Sequence, residues 1–443
     1  MAFVRRALVL GGGIAGLTAA RVLAEHADEV IVVDRDDPAD NSGPRRGTPT
    51  APHSHPIPEL ARRQLDHWMP GLIEELVADG AQPVDSGSHW HVDGVRRAPV
   101  VGEPLVSLTL PFLHRRMREH VAGLGAVRFQ RGKATGLTHR GTRVDGALVA
   151  EPGHRGPGER IGADLVVDGM GRSSRLGDWL ERADYPPPPM RRLGGDLGYA
   201  TRLYRRSPGQ TVDGMDSVYS LRTGRSGPAG GLVLLPVEGD RWSATVIGYG
   251  DNRPTRDIED FEARCRIEPV GELGTLIQEG EPVSDVAAAR HRDSRRRDYH
   301  RIRRLPGGLI ALGDAVASLN PMHGQGLILA ALQASALHSW LRGPAVLSEP
   351  ADAYFERSRV VVDAAWASAA AQDSRPSQPE GKGPFGLQLS RVFTDLLAKA
   401  TITDAGVHRR YLDVAAMRSH PRELARPRFL LSTMRAALRS TSS

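Results

Sequence analysis

The first 34 residues switch between two hydrophobic periods. Ala7–Leu10 is a continuous apolar run, Gly11–Gly16 is rich in glycine, Leu17–Ala24 is apolar at helical spacing, and Val30–Val33 is a second apolar run closed by Asp34. Strand, turn, helix and strand in so short a span predict a βαβ unit. Helical spacing returns over Pro58–Leu76, broken at Pro70, and over Phe112–Leu124, with extended stretches His89–Val92 and Leu105–Leu110 between them. Asp164–Val167 and Leu309–Leu312 read as two more buried strands, running into the turns Asp168–Gly171 and Gly313–Asp314.

Residues 195–250 alternate in the manner of strands, and Leu232–Val237 should pair with Trp242–Ile247 across the turn Glu238–Gly239–Asp240. A helix is predicted over Gly324–Leu341. The remainder is helical, apart from a linker at Ser374–Gly386 rich in Pro, Gly and Ser. Residues 38–56, rich in Pro, Gly, Arg and His, read as a long functional loop.

Composition narrows the classes. The chain has 443 residues with 40% hydrophobic content, enough for a substantial core. Its single cysteine, Cys265, excludes a disulfide framework and cysteine-ligated metal clusters, and its charged surroundings mark it as incidental. No apolar stretch reaches the roughly 18–20 residues of a membrane span, so the expectation is a cytoplasmic protein with no integral membrane association. All but three of the 58 basic residues are arginine, spread along the chain, while aromatics make up only 5%. That pattern reads as an arginine-rich surface, with no nucleic-acid partner expected.

Two constellations carry chemistry. Gly11, Gly13 and Gly16 hold G-x-G-x-x-G spacing between a strand and a helix, and Asp34 ends the next strand. Glycines there allow a tight turn and close approach to a diphosphate at the helix N-terminus, and the acid receives ribose hydroxyls. An acid at that position disfavours a 2′-phosphate, which leaves FAD or NAD. The second constellation is Gly313–Asp314 after a strand, followed by Asn320-Pro321-Met322-His323-Gly324-Gln325-Gly326 opening a helix. Asp314 is placed to bond a polyol hydroxyl, and the second helix N-terminus suits the edge of a flavin that gains negative charge on reduction. NAD needs no second anchor, so FAD is the expected cofactor.

With these motifs the chain resembles the FAD-dependent monooxygenases of the p-hydroxybenzoate hydroxylase fold, and within them the bacterial branch containing polyether-type polyene epoxidases. The resemblance rests on Gly11–Gly16 with Asp34, Arg46–Pro49 with His53-Ser54-His55, Asp164–Arg175, Gly313–Asp314 with Pro321–Gly326, and Arg426–Arg428. It implies an α/β fold: a Rossmann-like FAD-binding domain (1–87, 111–189 and 301–345), an inserted β-sheet substrate domain (88–110 and 190–300), and a C-terminal helical region (346–443). The residues expected to contact FAD are Gly11, Gly13, Ala15, Gly16, Asp34, Arg35, Arg46, Asp168, Gly169, Gly313, Asp314, Pro321, Gly324, Gln325 and Gly326. NAD(P)H would reduce FAD transiently, and O₂ would give a flavin C4a-hydroperoxide that epoxidises or hydroxylates a hydrophobic polyketide-type intermediate. Tyr199, Tyr204, Tyr219, Trp242 and Tyr249 would line the substrate cavity.

The chain also departs from the family pattern. Thr50-Ala51-Pro52 stands where relatives carry a glutamine and an arginine, Leu110 where they carry an arginine beside the flavin, and His323 where they carry a tyrosine. These departures keep a second function open: a non-redox cyclase of the decalin-forming, [4+2] type that retains FAD as a structural element. His53, His55 and His323 are candidates for acid–base work. No carboxylate accompanies them at motif spacing, so no metal is expected there.

Overall fold

The computed structural model describes residues 4–37, 53–85, 87, 89–101, 104–154, 156–223, 228–270, 273–343, 345–373 and 385–439. Arg46 and the Thr50–Pro52 departure lie outside them, as does most of the 374–386 linker. The first strand, β1 (Val4–Leu10), leads through helix α1 (Ile14–Leu23) to strand β2 (Ala27–Asp34), which pairs parallel to β1. Val127–Arg131 extends the sheet beyond β2; Leu165–Asp168 and Leu309–Ala311 extend it on the other side of β1, all in parallel. These strands are nearly continuous runs of Val, Ile, Leu and Ala because both faces are covered. The main core wraps this sheet and is filled from α1 and from the Gln325–Arg342 helix, among others.

Pro70 breaks the predicted helix as expected. Glu59–Trp68 ends before it, and Leu72–Ala78 restarts after Gly71, whose φ of +83° only glycine adopts without strain. Between residues 133 and 162 the chain forms a three-stranded antiparallel sheet (Lys133–Arg140, Arg143–Ala150, Glu159–Gly162). The hydrophobic pattern gave no sign of it, since most residues of Lys133–Arg140 are only half-buried.

The large second sheet has eight strands and draws on residues 90–96, 190–297 and 317–318. Its centre is the predicted hairpin, Gly230–Val237 against Arg241–Tyr249, with Val237 opposite Arg241. One face, with Trp242 and Tyr204, is covered by the Ile258–Arg266 and Leu273–Glu279 helices, which add Phe261, Leu273 and Ile277 to the same core. The other face carries Leu197, Tyr199, Tyr219, Val233, Leu235 and Ile247. The final helices, among them Phe385–Thr403, Ala405–Ala415 and Pro427–Arg439, form a separate small core. No helix among the described residues is long and apolar enough to cross a membrane.

The arginine run 295–297 is not a solvated surface. Arg296 and Asp298 are buried together as an ion pair, and Arg296 also reaches Asp363 of the Asp352–Asp373 helix at 2.6 Å. Removing one member of a buried ion pair leaves its partner's charge uncompensated, typically at about 3–5 kcal/mol. Arg296→Ala is therefore expected to lose about that much stability in urea unfolding. A loss below about 1 kcal/mol would show that the pair is not buried as described.

Candidate active site

Three parallel strand ends meet at one point. β1, Leu165–Asp168 and Leu309–Ala311 lie side by side, and each runs into a turn at its carboxyl end, where α/β sheets form ligand crevices. Gly11 has φ +100°, and a Cβ there would come within 2.6 Å of the Gly169 carbonyl oxygen. A Cβ on Gly16 would strike the Gly11 carbonyl oxygen, and one on Gly313, at φ +63°, would strike the Ala15 methyl. A Cβ on Gly169 would meet Gly16 Cα at 3.1 Å. The floor of the crevice is thus bare backbone. Gly13, the N-cap of α1, has φ −74° and ψ −179°, so it presents extended backbone at the helix start.

The predicted acids divide by role. Asp34 is buried and accepts hydrogen bonds from Gly12 N–H at 2.6 Å and Asp36 N–H at 3.0 Å. It shapes the glycine turn while standing where ribose hydroxyls would be received; Arg35 beside it is exposed. Asp168 is fully buried and accepts from Met170 N–H at 3.0 Å and from the Ser174 hydroxyl. Its side chain braces its own turn. Asp314 accepts from Ser318 Oγ at 3.1 Å and lies 3.9 Å from where a Gly326 Cβ would be. Burial raises its pKa, opposed by Ser318 and by the positive charges of Arg172 and Arg297.

Asn320 caps a 3-10 turn, Pro321–His323, by accepting from Met322 N–H at 3.0 Å, and Gly324 then takes φ +66° to start the Gln325–Arg342 helix. The Gln325 side chain is fully buried and donates to Ser368 Oγ at 3.0 Å. What Gln325 and Gly326 offer the crevice is therefore the backbone of a helix start. Gly313 is held from behind by the same helix, its N–H donating to Gln333 Oε1 at 2.6 Å.

The loop before Glu59–Trp68 joins this crevice to the large sheet. His53 is buried, its Nδ1 is 2.6 Å from Thr201 Oγ1, and Thr201 Oγ1 is 2.6 Å from Thr245 Oγ1. Its ring meets Tyr199 edge-on with centroids 4.4 Å apart, and Nε2 has no hydrogen-bond partner among the described residues. Burial and the neighbouring His55 depress its pKa to about 3, so it is a neutral imidazole. His55 instead supports the loop, with Nδ1 3.2 Å from the His53 carbonyl oxygen and its own N–H donating to the Leu108 carbonyl. His323 is half-buried at the end of the Pro321–His323 turn. Met322 from that turn packs on the face carrying Tyr199 and Tyr219, where Trp90 stacks on Tyr219 at 4.4 Å.

Two of the five aromatics expected in the cavity are elsewhere. Tyr204 and Trp242 point to the opposite face, into the core under the Ile258–Arg266 helix. Strand alternation requires this, because Tyr199 and Tyr204 are an odd number of positions apart, as are Trp242 and Tyr249. Other residues come to the site without having been expected there: Thr201, Thr245 and Trp90 on the sheet, and His114, whose Nε2 is 2.7 Å from the Gly12 carbonyl oxygen. His114 lies one turn into the Leu110–Ala122 helix, and Thr109, which caps that helix, bonds Glu238 of the large sheet through N–H (2.9 Å) and hydroxyl (2.6 Å). Side-chain parity was the available signal for Thr201 and Thr245; none existed for Glu238.

Asp168 and His53 oppose each other in pH dependence. Burial raises Asp168 to about 6, so its proton is favoured in the folded state and stability falls as pH rises from about 4 to 6. His53 is depressed to about 3, so unfolding takes up a proton and stability falls as pH drops below about 6.5. Asp168→Asn should therefore steepen the rise of stability with pH between 4 and 6, and His53→Gln should flatten it. Urea midpoints measured across that range check both; equal slopes in the two variants would contradict the burial of these groups.

The sequence relatives agree with this geometry. A family model described as FAD dependent oxidoreductase matches residues 6–94. Protein Rv3254 of Mycobacterium tuberculosis (strain ATCC 25618 / H37Rv) is 31% identical over 350 residues, which are 76% of this chain and 73% of that protein. In fold the chain is similar to the flavin-dependent brominase Bmp2, with TM-score 0.66, 14% identity and 98% of each chain covered. It is similar to the tetrameric form of 2-methyl-3-hydroxypyridine-5-carboxylic acid oxygenase (TM-score 0.61, 17% identity, 87% of this chain and 96% of that one). It is also similar to the Diels-Alderase PyrE3 of pyrroindomycin biosynthesis (TM-score 0.59, 19% identity, 93% and 80%). The chain belongs to one family with Protein Rv3254, and its residues 6–94 carry the match to the FAD dependent oxidoreductase model.

Proposed function

We propose that this chain is a monooxygenase of the epoxidase or hydroxylase type, acting on a sizeable hydrophobic natural-product intermediate with NAD(P)H as reductant. The observation that carries the reading is the placement of one aromatic sheet face, with a buried imidazole on it, against a backbone-floored crevice. The crevice fits FAD because the glycine turns at Gly11, Gly16 and Gly313 pack on one another without side chains, so that backbone and two helix starts line it. Gly11–Gly16 and Asp34 would hold the diphosphate and adenosine end. Gly313, Asp314 and the start of the Gln325–Arg342 helix would hold the ribityl and flavin end, with Arg172 and Arg297 adding positive charge. Bound there, FAD supplies the redox chemistry, taking a hydride from NAD(P)H and activating O₂.

The chain's own contribution would be an apolar surface and one buried hydrogen-bond acceptor. Tyr199, Tyr219, Trp90 and Met322 offer an apolar wall for the substrate. Neutral His53 can accept a hydrogen bond from a substrate hydroxyl at Nε2 and so orient the substrate, while Thr201 and Thr245 fix its ring through Nδ1. A second reading, a non-redox cyclase with structural FAD, draws support from the start of the Leu110–Ala122 helix. There Thr109 binds the Glu238 carboxylate, where the family resemblance implies a guanidinium.

Gly13→Ala tests the cofactor site cleanly. The backbone at Gly13 is one any residue adopts, so the variant should fold normally. Its methyl group would stand where the diphosphate must approach, and the protein should purify with little or no FAD. Full occupancy, read by absorbance after denaturation, would contradict the assignment.

Product mass separates the two functions. A monooxygenase product gains one oxygen under air and none under nitrogen, whereas a cyclase product keeps the substrate's mass and forms without NAD(P)H. His53→Gln should slow turnover about 100-fold while flavin content and substrate affinity hold. Unchanged turnover would remove the orienting role.

A further inference from the structure

The rear of the cofactor domain holds a second group of chemically competent side chains. The chain leaves α1 at Leu23 and passes through Glu25 and His26 before entering β2. His26 Nε2 lies 3.1 Å from His338 Nδ1, and that nitrogen lies 3.6 Å from Glu25 Oε2. All three ligand atoms fall within 4.8 Å of one another. Zinc bonds of ~2.0–2.1 Å in a tetrahedron place neighbouring ligand atoms about 3.3 Å apart, and the two observed spacings bracket that edge.

The surroundings favour an ion over a simple histidine pair. Glu25 uses its other oxygen, Oε1, to bind Arg21 at 2.9 Å, leaving Oε2 turned toward His338. The His338 ring is steadied by Trp68, tilted against it at 5.0 Å, and Trp68 Nε1 donates to Ser335 Oγ at 3.1 Å. Metal sites fix their imidazoles through such outer contacts. The negative end of the α1 dipole lies at the same place. Burial holds both His338 and His26 below the ordinary imidazole pKa, with Arg342 acting in the same direction and Glu25 against it. Both rings are then neutral near pH 7 and carry lone pairs.

We propose that Glu25, His26 and His338 bind a divalent transition-metal ion, zinc by the chemistry of the donors, with water completing four-coordination. Binding needs lone pairs on both His26 Nε2 and His338 Nδ1. The proton those atoms share moves to the far nitrogen of one ring, so two neutral imidazoles and one carboxylate bind without net proton release. The ion joins the rear of α1 to the Gln325–Arg342 helix, whose front ends build the crevice. Its binding is independent of the proposed reaction.

Calorimetric titration of ZnCl₂ into the EDTA-treated full-length chain tests this, with thermal unfolding read in parallel. The expected result is one equivalent bound at micromolar concentration and an unfolding temperature raised by about 5 °C. His338→Ala and His26→Gln should each lose that equivalent and the shift, and Glu25→Gln should weaken binding about tenfold or more. All three side chains are partly exposed, so the variants should unfold near the wild-type temperature without metal. Co²⁺ should show the strong visible absorption of a four-coordinate site in the wild type alone. Zinc binding that persists unchanged in His338→Ala and His26→Gln, or no stoichiometric binding in the wild type, would overturn the proposal.

Discussion

The structure depends on backbone packed directly against backbone. Gly11 lies on Gly169, Gly16 on the Gly11 carbonyl, and Gly313 on the Ala15 methyl, so three strand-end turns from distant parts of the chain close on one another with nothing larger than that methyl between. Any Cβ at these positions would hold the turns apart and leave the helix N-termini aimed at different points. Close approach is what lets two helix starts, at Gly13 and Gly324, act on one ligand. The residues behind them hold this geometry: Gln333 on the Gly313 N–H, Asp34 on the Gly12 N–H, and Asp168 within its own turn.

The large sheet meets this crevice through a few specific contacts. His53 binds Thr201, Met322 packs on the Tyr199 cluster, the Asn320 N–H donates to Ser294 Oγ at 3.0 Å, and Thr109 binds Glu238. Each joins a segment near the glycine turns to a strand of the eight-stranded sheet or, for Glu238, to its central hairpin turn. The buried Arg296 ties the same sheet to the Asp352–Asp373 helix. The sheet side of the crevice is therefore lined by side chains set by strand alternation, and the turn side by backbone.

The charges near the crevice follow from burial. Asp168 is lifted to about 6 and His53 lowered to about 3, so both tend toward the uncharged form. Arg172 stays charged through its ion pair with Asp293, beside Asp314. Arg172 thus puts a positive charge beside the crevice, and His53 puts a neutral imidazole against the aromatic face of the large sheet.

The sequence alone determined the α/β class, the βαβ start, the central hairpin and the glycine turns with their acids, because each is a local pattern written over a few adjacent residues. Period-2 parity in Met190–Arg205 and Arg241–Tyr249 was also there to be read, and it separates Tyr199 and Tyr249 from Tyr204 and Trp242. Only the tertiary structure decided that Gly169 and Gly313 close on the first turn, that His114 binds Gly12, and that His26 meets His338. Those contacts join residues one hundred to three hundred positions apart, and no spacing along the chain encodes a distance across the fold. The Lys133–Gly162 sheet was illegible for a different reason: its two outer strands are only half-buried or exposed and carry no strong hydrophobic period, although the middle strand reaches the main core.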